Sequence, residues 1–508
     1  MLPEEQTAIA GEDAARLAKG AGVLLGGRLV GRGLSFGVQI VLGRLLGPAL
    51  FGLYAIGWNI FLLLGLLASL GLEHGVVRYG APLWGADRAA ARALARRALA
   101  LTLLAAAAAA LGLHLAAPGL AGLFGKPSLV AVLEGLAVGV LFLPLLRVAA
   151  AATRASQRMS FSVAVEDLGQ PLLHLGLVAL LFALGWRLAA AVWGAVASYL
   201  LAALLALLLL ARLLRAAAVD AETRIPGRGE LLRFSLPTAT AGLLAVFVVW
   251  SDRLLVGYFL SAAETGIYQA ASQVSILFHL LLSSFTGMFA PMIASLHHEG
   301  ETARLGELFR VTTKWGLYVG LPAFVVIAGL PEDVLAALLG REFVAGAAPM
   351  VVLSTAQLVN LATGAVGMLL IMCGFQRRWL ALSGTALVLN VLLNLVLIPR
   401  FGLLGAAVAT LIAVAVLFVG GLAAVRRGLA LWPYDRRYSK GLAAALVAAA
   451  GVAGVRLLVP EMPWLRLGLA APLAYGLFVA ALLALGLDRE DQEFLSRLRR
   501  RLGWGAPS

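Results

Sequence analysis

Four arginines, Arg28, Arg32, Arg147 and Arg253, lie inside stretches of this chain that otherwise read as lipid-spanning helices. A guanidinium at the centre of a membrane helix costs about 2.5–3.5 kcal/mol on insertion scales, so each implies a buried polar task. The planar fork of arginine matches phosphate or carboxylate oxygens bidentately and keeps its charge at any working pH. The four therefore form the candidate substrate-binding set, and the ligand they suit is an anion, with phosphate-bearing lipids the obvious membrane candidates. In the first helix Arg28, Arg32, Ser35 and Gln39 are spaced four, three and four, which places them on one face. Gly26, Gly27, Gly31, Gly33 and Gly37 in the same segment allow close approach or bending. Arg147 follows Pro144 by three residues, where a kink would aim it into a cavity. Asp252 and Arg253 are adjacent on the seventh helix, so their side chains diverge by about 100° and need not pair with each other. Asp252 reads equally as half of an intramembrane salt bridge or as an ion-coupling residue. His279, on a face with Ser272, Ser275, Ser283 and Thr286, is the second ion-coupling candidate, with a satisfied histidine as the plainer reading.

Other polar residues read as structural. Glu166 and Asp167, with Gln170 and His174, are near enough to a membrane face for pairing with Arg154 or Arg158. Asn59, Gln357, Asn360, Asn390 and Asn394 are accounted for by hydrogen bonds between helices. The single Cys373 has no metal-ligand companions, so neither a disulfide nor a metal site is expected. There is no Gly-x-x-x-x-Gly-Lys-Ser/Thr loop, so no nucleotide site and no cofactor is expected, and energy must come from gradients or membrane potential. Large external loops with paired carboxylates, which a membrane glycosyltransferase would show, are missing, and the expectation is a transporter rather than an enzyme.

The elements that must carry these side chains follow from composition: 61% hydrophobic residues, 13% charged and a mean hydropathy of +0.95. Apolar runs long enough for a ~30 Å hydrocarbon core predict fourteen helices near 20–42, 49–72, 96–117, 129–151, 161–184, 187–211, 234–259, 266–291, 314–338, 344–373, 380–398, 402–425, 440–459 and 465–487. Most of the 40 lysines and arginines then fall in loops on one side, including Arg88, Arg92, Arg96, Arg97, Arg212, Arg426 and Lys440, and none of the cations placed within the spans is a lysine. The positive-inside rule puts those loops and both termini in the cytoplasm, of an inner membrane. The net charge of +14 is then topology and attraction to anionic lipid, and a nucleic-acid partner is not expected. The acidic start, Pro3-Glu4-Glu5, predicts an uncleaved anchor rather than a signal peptide.

Internal similarity divides the chain. Phe51-Gly52-Leu53-Tyr54 recurs as Thr265-Gly266-Ile267-Tyr268, and Gly43 as Gly257, all at an offset of 214. Gly194-Ala195-Val196-Ala197-Ser198 is echoed by Gly405-Ala406-Ala407-Val408-Ala409-Thr410. Two six-helix lobes follow, at 1–212 and 234–425, related by an axis along the membrane normal. A cytoplasmic linker occupies 213–233, helices thirteen and fourteen 426–487, and a basic tail 488–508.

Asp252-Arg253-Leu254-Leu255-Val256-Gly257-Tyr258-Phe259, continuing to Thr265-Gly266-Ile267-Tyr268-Gln269-Ala270-Ala271, resembles the start of the second lobe in oligosaccharide flippases of the multidrug/oligosaccharidyl-lipid/polysaccharide (MOP) exporter superfamily. Asn390-x-x-x-Asn394-Leu395-x-x-Ile398-Pro399 and Gly402-x-x-Gly405-Ala406-Ala407 resemble that family's eleventh and twelfth helices. The resemblance covers essentially the whole chain. It implies an all-α polytopic membrane protein, with two pseudo-symmetric bundles plus two C-terminal helices in a V around a central cavity. It further implies alternating access that carries undecaprenyl-pyrophosphate-linked oligosaccharide from the cytoplasmic to the periplasmic leaflet, with polysaccharide polymerase and glycosyltransferases as neighbouring partners. Lipid II flippases share Arg28-x-x-Gly31 but then carry an Arg-Asp pair, and here Gly33 follows Arg32. A lipid II flippase and a cation-coupled drug or metabolite antiporter are the alternatives within the superfamily.

Overall fold

The computed structural model describes the backbone of residues 3–156, 159–214, 225–278, 289, 292–488, 490–493 and 496; side chains are described from residue 26 onward, except 85–86 and most of 241–249. Among these residues every regular element is helical. The chain forms two compact units, Met1–Gln269 and Ala270–Ser508.

The first unit begins with α1 (Pro3–Ala68), which bends at Gly47 (φ 70°, ψ 172°) and thereby contains the first two predicted spans. Only glycine adopts that φ cheaply, and Pro48 then suits the first turn of the second half because its missing N–H has no partner there. After α2 (Leu72–Ala86), Asp87 caps α3 (Arg88–Leu123), its carboxylate accepting from the N–H groups of Ala89 (2.8 Å) and Ala90 (3.0 Å). The fourth predicted span is split at Leu141 into α4 (Leu129–Val140) and α5 (Phe142–Ala155). Pro144 lacks the N–H that would bond the carbonyl of Val140, which is why the helix breaks one turn before it. The fifth span carries α6 (Met159–Ser162), a π-helical turn at Val163–Gly169 and α7 (Gln170–Ala183). Pro171 has no N–H for the carbonyl of Asp167, and the N–H of Gln170 reaches back to Val165, the register of a π turn. Then come α8 (Leu188–Leu213), α9 (Arg228–Phe259) and α10 (Ala262–Ser275). The division between the units falls inside α10, after the 213–233 linker, because α9 packs on α1 and α2. The interior of this unit is rich in alanine, with Ala90, Ala98, Ala149, Ala152, Ala202 and Ala206 buried at helix contacts, the small-residue packing typical of membrane bundles.

The internal repeat is also a physical contact. Gly52 lies against the carbonyl of Ala262, and Gly266 against that of Pro48, so that a Cβ on either glycine would overlap the facing oxygen. Positions 48 and 262 are related by the same offset as 52 and 266, so the two copies meet in a reciprocal, two-fold manner. Tyr54 and Tyr268, two residues beyond each glycine, are both completely buried.

In the second unit a helix at Thr302–Gly329 is followed by short helices at Pro331–Leu338 and Arg341–Gly346, then Ala347–Thr363, Val366–Met372, Gln376–Leu429, Arg437–Leu458 and Pro463–Ala484. The predicted span at 314–338 is thus displaced: the long helix starts at Thr302, and Pro331 opens a separate one. Gln376–Leu429 holds the eleventh and twelfth spans on either side of Gly402 (φ 57°, ψ −135°). In all, ten helices among the described residues are long and apolar enough to cross a membrane. The predicted seventh span is found as α9, and the eighth begins as α10 but runs beyond the described residues.

One charge in this unit overturns an expectation. Lys314 lies within the Thr302–Gly329 helix with its side chain 1% exposed. Its ammonium donates to Glu490 (2.6 Å), Asp491 (2.9 Å) and Asp488 (3.2 Å), and Trp315 Nε1 donates to Asp491 (2.8 Å). Lys440 donates to Asp488 (2.7 Å), while Arg437 donates to Glu490 (2.7 Å) and Glu307 (2.6 Å). The expected basic tail therefore opens with an acidic strap that neutralises a buried lysine. The three carboxylates converge closely enough to hold a metal ion, but the ammonium occupies that role. Burial raises the affinity of Asp488 and Glu490 for protons, yet hydrogen bonds from Lys440, Lys314 and Arg437 outweigh it and hold both below the usual carboxylate range.

Two outcomes follow, both read from thermal unfolding of purified protein in detergent. Gly52→Val and Gly266→Val each destabilise by about 1–3 kcal/mol through overpacking, whereas Gly33→Ala, which meets open space, is near neutral. Neutralising the strap with Asp488→Asn, Glu490→Gln and Asp491→Asn strands a buried ammonium and costs about 3–5 kcal/mol. Because Asp488 and Glu490 titrate below their unfolded values, their contribution is present above the unfolded values near pH 4 and is lost as pH falls through the lowered native ones. Acid sensitivity in that range should disappear in the triple variant.

Candidate functional site

Within the first unit, a cavity of about 130 Å³ is lined by Arg147, Glu166, Gln170, Tyr199 and Trp250, with leucines such as Leu62 completing the wall. Each polar side chain is placed by a different local cause. Arg147 stands at the first turn after the Pro144 break, Glu166 on the π turn, Gln170 at the start of α7, Tyr199 midway along α8 and Trp250 on α9. Gln170 donates to Ser198 (3.1 Å), which fixes its amide and accounts for the serine that closes the repeated Gly194–Ser198 segment.

Arg147 Nη2 donates to Glu73 Oε1 at 3.3 Å. The contact is long and one-pronged, and among the described residues Arg147 Nε and Glu73 Oε2 are buried without hydrogen-bond partners. A guanidinium held in place with donors to spare can accept oxygens from a ligand.

The π turn connects this cavity to α1. Arg154 Nη1 donates to Glu166 (2.9 Å) and to Ser162 (2.8 Å), the pairing expected for the fifth span, while Arg158 lies outside the described residues. Arg28, Arg154 and Arg32 all act electrostatically on the neighbouring Asp167. Two α1 glycines make this approach possible: a Cβ at Gly27 would strike Val163, and one at Gly31 would strike the carbonyl of Asp167, the oxygen released by Pro171. Arg28 and Arg32 have exposed side chains. Among the described residues four arginines (28, 32, 147, 154) thus stand near three carboxylates (Glu73, Glu166, Asp167), one more formal positive charge than negative.

Arg253 is placed elsewhere. It is buried at 7% exposure, its Nε has no partner among the described residues, and it does not line the cavity, although Trp250 three residues earlier does. Asp252 Oδ2 accepts from the hydroxyl of Tyr268 (2.7 Å) and Oδ1 from the N–H of Arg253 (2.7 Å), so it ties α9 to the repeat motif on α10. His279 lies outside the described residues. The structure therefore brings together Arg28, Arg32 and Arg147 around the π turn and holds Asp252 and Arg253 apart from them.

Sequence reasoning missed Glu73, Tyr199 and Trp250. Glu73 carries a signal in retrospect, being a lone carboxylate between Gly71 and Gly75 at the end of an apolar run. Tyr199 and Trp250 carry none, since aromatic residues in apolar helices are ordinary. Of the amides expected to bond between helices, Asn390 does so across the Gly402 bend, donating to Thr410 (3.3 Å), whereas Asn394 donates to Asn390 (3.0 Å) and Asn59 to the carbonyl of Ala55 (2.9 Å) within their own helices.

Several known proteins are similar to this chain. A family model described as "Polysaccharide biosynthesis protein" matches residues 41–348. "Probable flippase AglR" of Haloferax volcanii is 31% identical over 188 residues, 35% of this chain and 37% of that protein. "Probable low-salt glycan biosynthesis flippase Agl15" of the same organism is 24% identical over 37% of this chain and 40% of its own length. The chain thus matches well under half the length of these relatives. Among solved structures, "Lipid II flippase MurJ, inward closed conformation" superposes with a TM-score of 0.72 at 11% identity, covering 89% of this chain and 97% of that one. A multidrug resistance MATE family transporter of the MOP superfamily, in an inward-facing conformation, gives 0.61 at 15% identity, covering 79% and 94%. At these identities the likeness is one of fold.

If Arg147 is held for a ligand, Glu73→Gln should tighten binding of inorganic pyrophosphate to the purified protein by about tenfold, as expected for removing a competing carboxylate, while Arg147→Gln should abolish it. Calorimetric titration distinguishes this from a purely structural pair, for which neither change would alter binding.

Proposed function

The chain belongs to the polysaccharide biosynthesis protein family, and from that premise we propose that it is a flippase for a polyprenyl-pyrophosphate-linked oligosaccharide in cell-surface polysaccharide synthesis. The observation that carries this reading is the cluster of Arg28, Arg32 and Arg147 around the Glu166–Asp167 turn, with unspent donors on Arg147 beside a cavity. A pyrophosphate offers the oxygens that guanidinium forks match. In the proposed cycle Arg28 and Arg32, exposed on α1, meet the head group first, and Arg147 receives it. The carboxylates compete for the same guanidiniums and keep them from holding the anion irreversibly, because a transported ligand must be released as well as bound. The polyprenyl chain stays in lipid throughout, and the substrate is moved without covalent change.

The fold supports alternating access, since the superposed transporters include an inward-facing state. The family description and the flippase names of the partial relatives support a glycan cargo. Undecaprenyl as the lipid, the inner membrane as the location and cytoplasmic placement of both termini belong to the same proposal, with the positive-inside charge distribution as their support. Arg253 is proposed to act in the transition through its buried junction with Asp252 and Tyr268, and Asp252 to couple it to an ion.

The test is translocation in liposomes containing the purified protein and a labelled polyprenyl-pyrophosphate sugar. Wild type should carry the label across. Arg32→Ala, Arg147→Gln and Arg253→Ala should each lower the rate at least about tenfold, as losing about 1.4 kcal/mol or more of binding or transition energy requires, with insertion and abundance unchanged. Export of a cationic dye without movement of the labelled lipid would reject the flippase in favour of a drug antiporter.

A further inference from the structure

A second groove in the first unit lies apart from the arginine cavity, between α3 and α8. It has a volume of about 440 Å³ and is lined by Arg92, Arg96 and Leu99 of α3, by Leu207 and Leu210 of α8 and by Leu214 just beyond it. Arg92 and Arg96 are one helical turn apart and share a face. The next arginine, Arg97, is turned away and donates to the carbonyls of Pro226 (2.9 Å) and Ile225 (3.4 Å). Among the described residues no carboxylate lines the groove and neither Arg92 nor Arg96 is paired with one. Beyond the arginines the two helices present exposed leucines: Leu103 (49%), Leu104 (68%) and Leu111 (59%) on α3, and Leu201 (43%), Leu204 (47%) and Leu208 (59%) on α8. In a bundle of membrane-spanning helices such a surface faces lipid.

We infer that this groove is a binding site for an anionic phospholipid, with the phosphate between Arg92 and Arg96 and an acyl chain along Leu99, Leu207 and Leu210. The charge complementarity is specific: two cations that have no carboxylate partner among the described residues stand at one end of a leucine-walled groove whose helices carry lipid-facing surface beyond it. A soluble phosphate would satisfy the guanidiniums but leave the leucines in contact with water, so the apolar wall selects the lipid. The bound head group would lie beside the Arg97 contact that fixes the chain entering α9, so that lipid occupancy stiffens the entry to the helix carrying Trp250 and Asp252.

The test uses the purified, delipidated full-length protein and follows its thermal midpoint while dioleoylphosphatidylglycerol is added. The midpoint should rise saturably with this lipid and not with dioleoylphosphatidylcholine. At about fivefold per cation near an anionic head group, Arg92→Ala with Arg96→Ala should weaken the apparent affinity about 25-fold. Arg92→Lys with Arg96→Lys should retain most of it, and Arg341→Ala, an exposed arginine of the second unit, should change nothing. Leu207→Trp fills the groove while keeping both arginines and should also weaken the response, which keeps the proposal testable if the double alanine variant fails to fold. An equal response to phosphatidylcholine, an unchanged response in both the double alanine and Leu207→Trp variants, or full reproduction of the shift by glycerol phosphate would overturn it.

Discussion

A charge taken out of water into a low-dielectric bundle must be matched by opposite charge or by hydrogen-bonding groups, and the arrangement of this protein's helices answers to that requirement. Lys314 is the extreme case: an ammonium with a 1% exposed side chain is met by three carboxylates from a segment more than 170 positions later in the chain. That match holds Asp488, Glu490 and Asp491 against the Thr302–Gly329 helix, and Arg437 and Lys440 pair with the same carboxylates. In the first unit the same requirement is met less completely. Glu73 satisfies only one edge of Arg147, and the π turn supplies Glu166 and Asp167 to a group of arginines that still outnumbers them. Full neutralisation holds a helix in place, and partial neutralisation leaves capacity for a ligand.

Backbone proximity is the second organising constraint. Gly31 brings α1 onto the carbonyl of Asp167, and Gly52 and Gly266 bring the two copies of the repeat onto each other's carbonyl oxygens. With little hydrophobic force between helices in lipid, close packing of this kind supplies much of the attraction. The proline at 171 makes one of these contacts by freeing the oxygen that Gly31 covers. Proline breaks and glycine approaches therefore act together, one exposing backbone polar groups and the other bringing a neighbour close enough to cover them.

The helical class, the polar face of α1, the break near Pro144, the Arg154–Glu166 pairing and the repeat were all legible in the chain, because each depends on spacing within one segment or on similarity between two. The extent of the long helices was less so. The breaks between spans at 43–48 and 399–401 are present as bends at Gly47 and Gly402 inside longer helices, and apolar content alone misplaced the ninth span, whose charged first turns at 302–313 are helical because they pack on the protein. The buried lysine was missed for a related reason: hydropathy counts Lys314 as a boundary residue, whereas its partners lie in a strap read as part of a basic tail.

By itself, then, the sequence determined what is local and additive: which segments are apolar enough to be helices in a membrane, where proline and glycine interrupt them, and that four guanidiniums in those segments call for anionic partners. The tertiary structure decided which charges meet. It gathered Arg28, Arg32 and Arg147 about the π turn, set Arg253 apart beside Tyr268, gave Lys314 its three carboxylates and placed Arg92 and Arg96 in a leucine groove with none among the described residues. The physical reason is that insertion cost is a property of each side chain in its own segment, whereas the interaction that offsets it depends on distance between segments, and distance is set only when the helices pack.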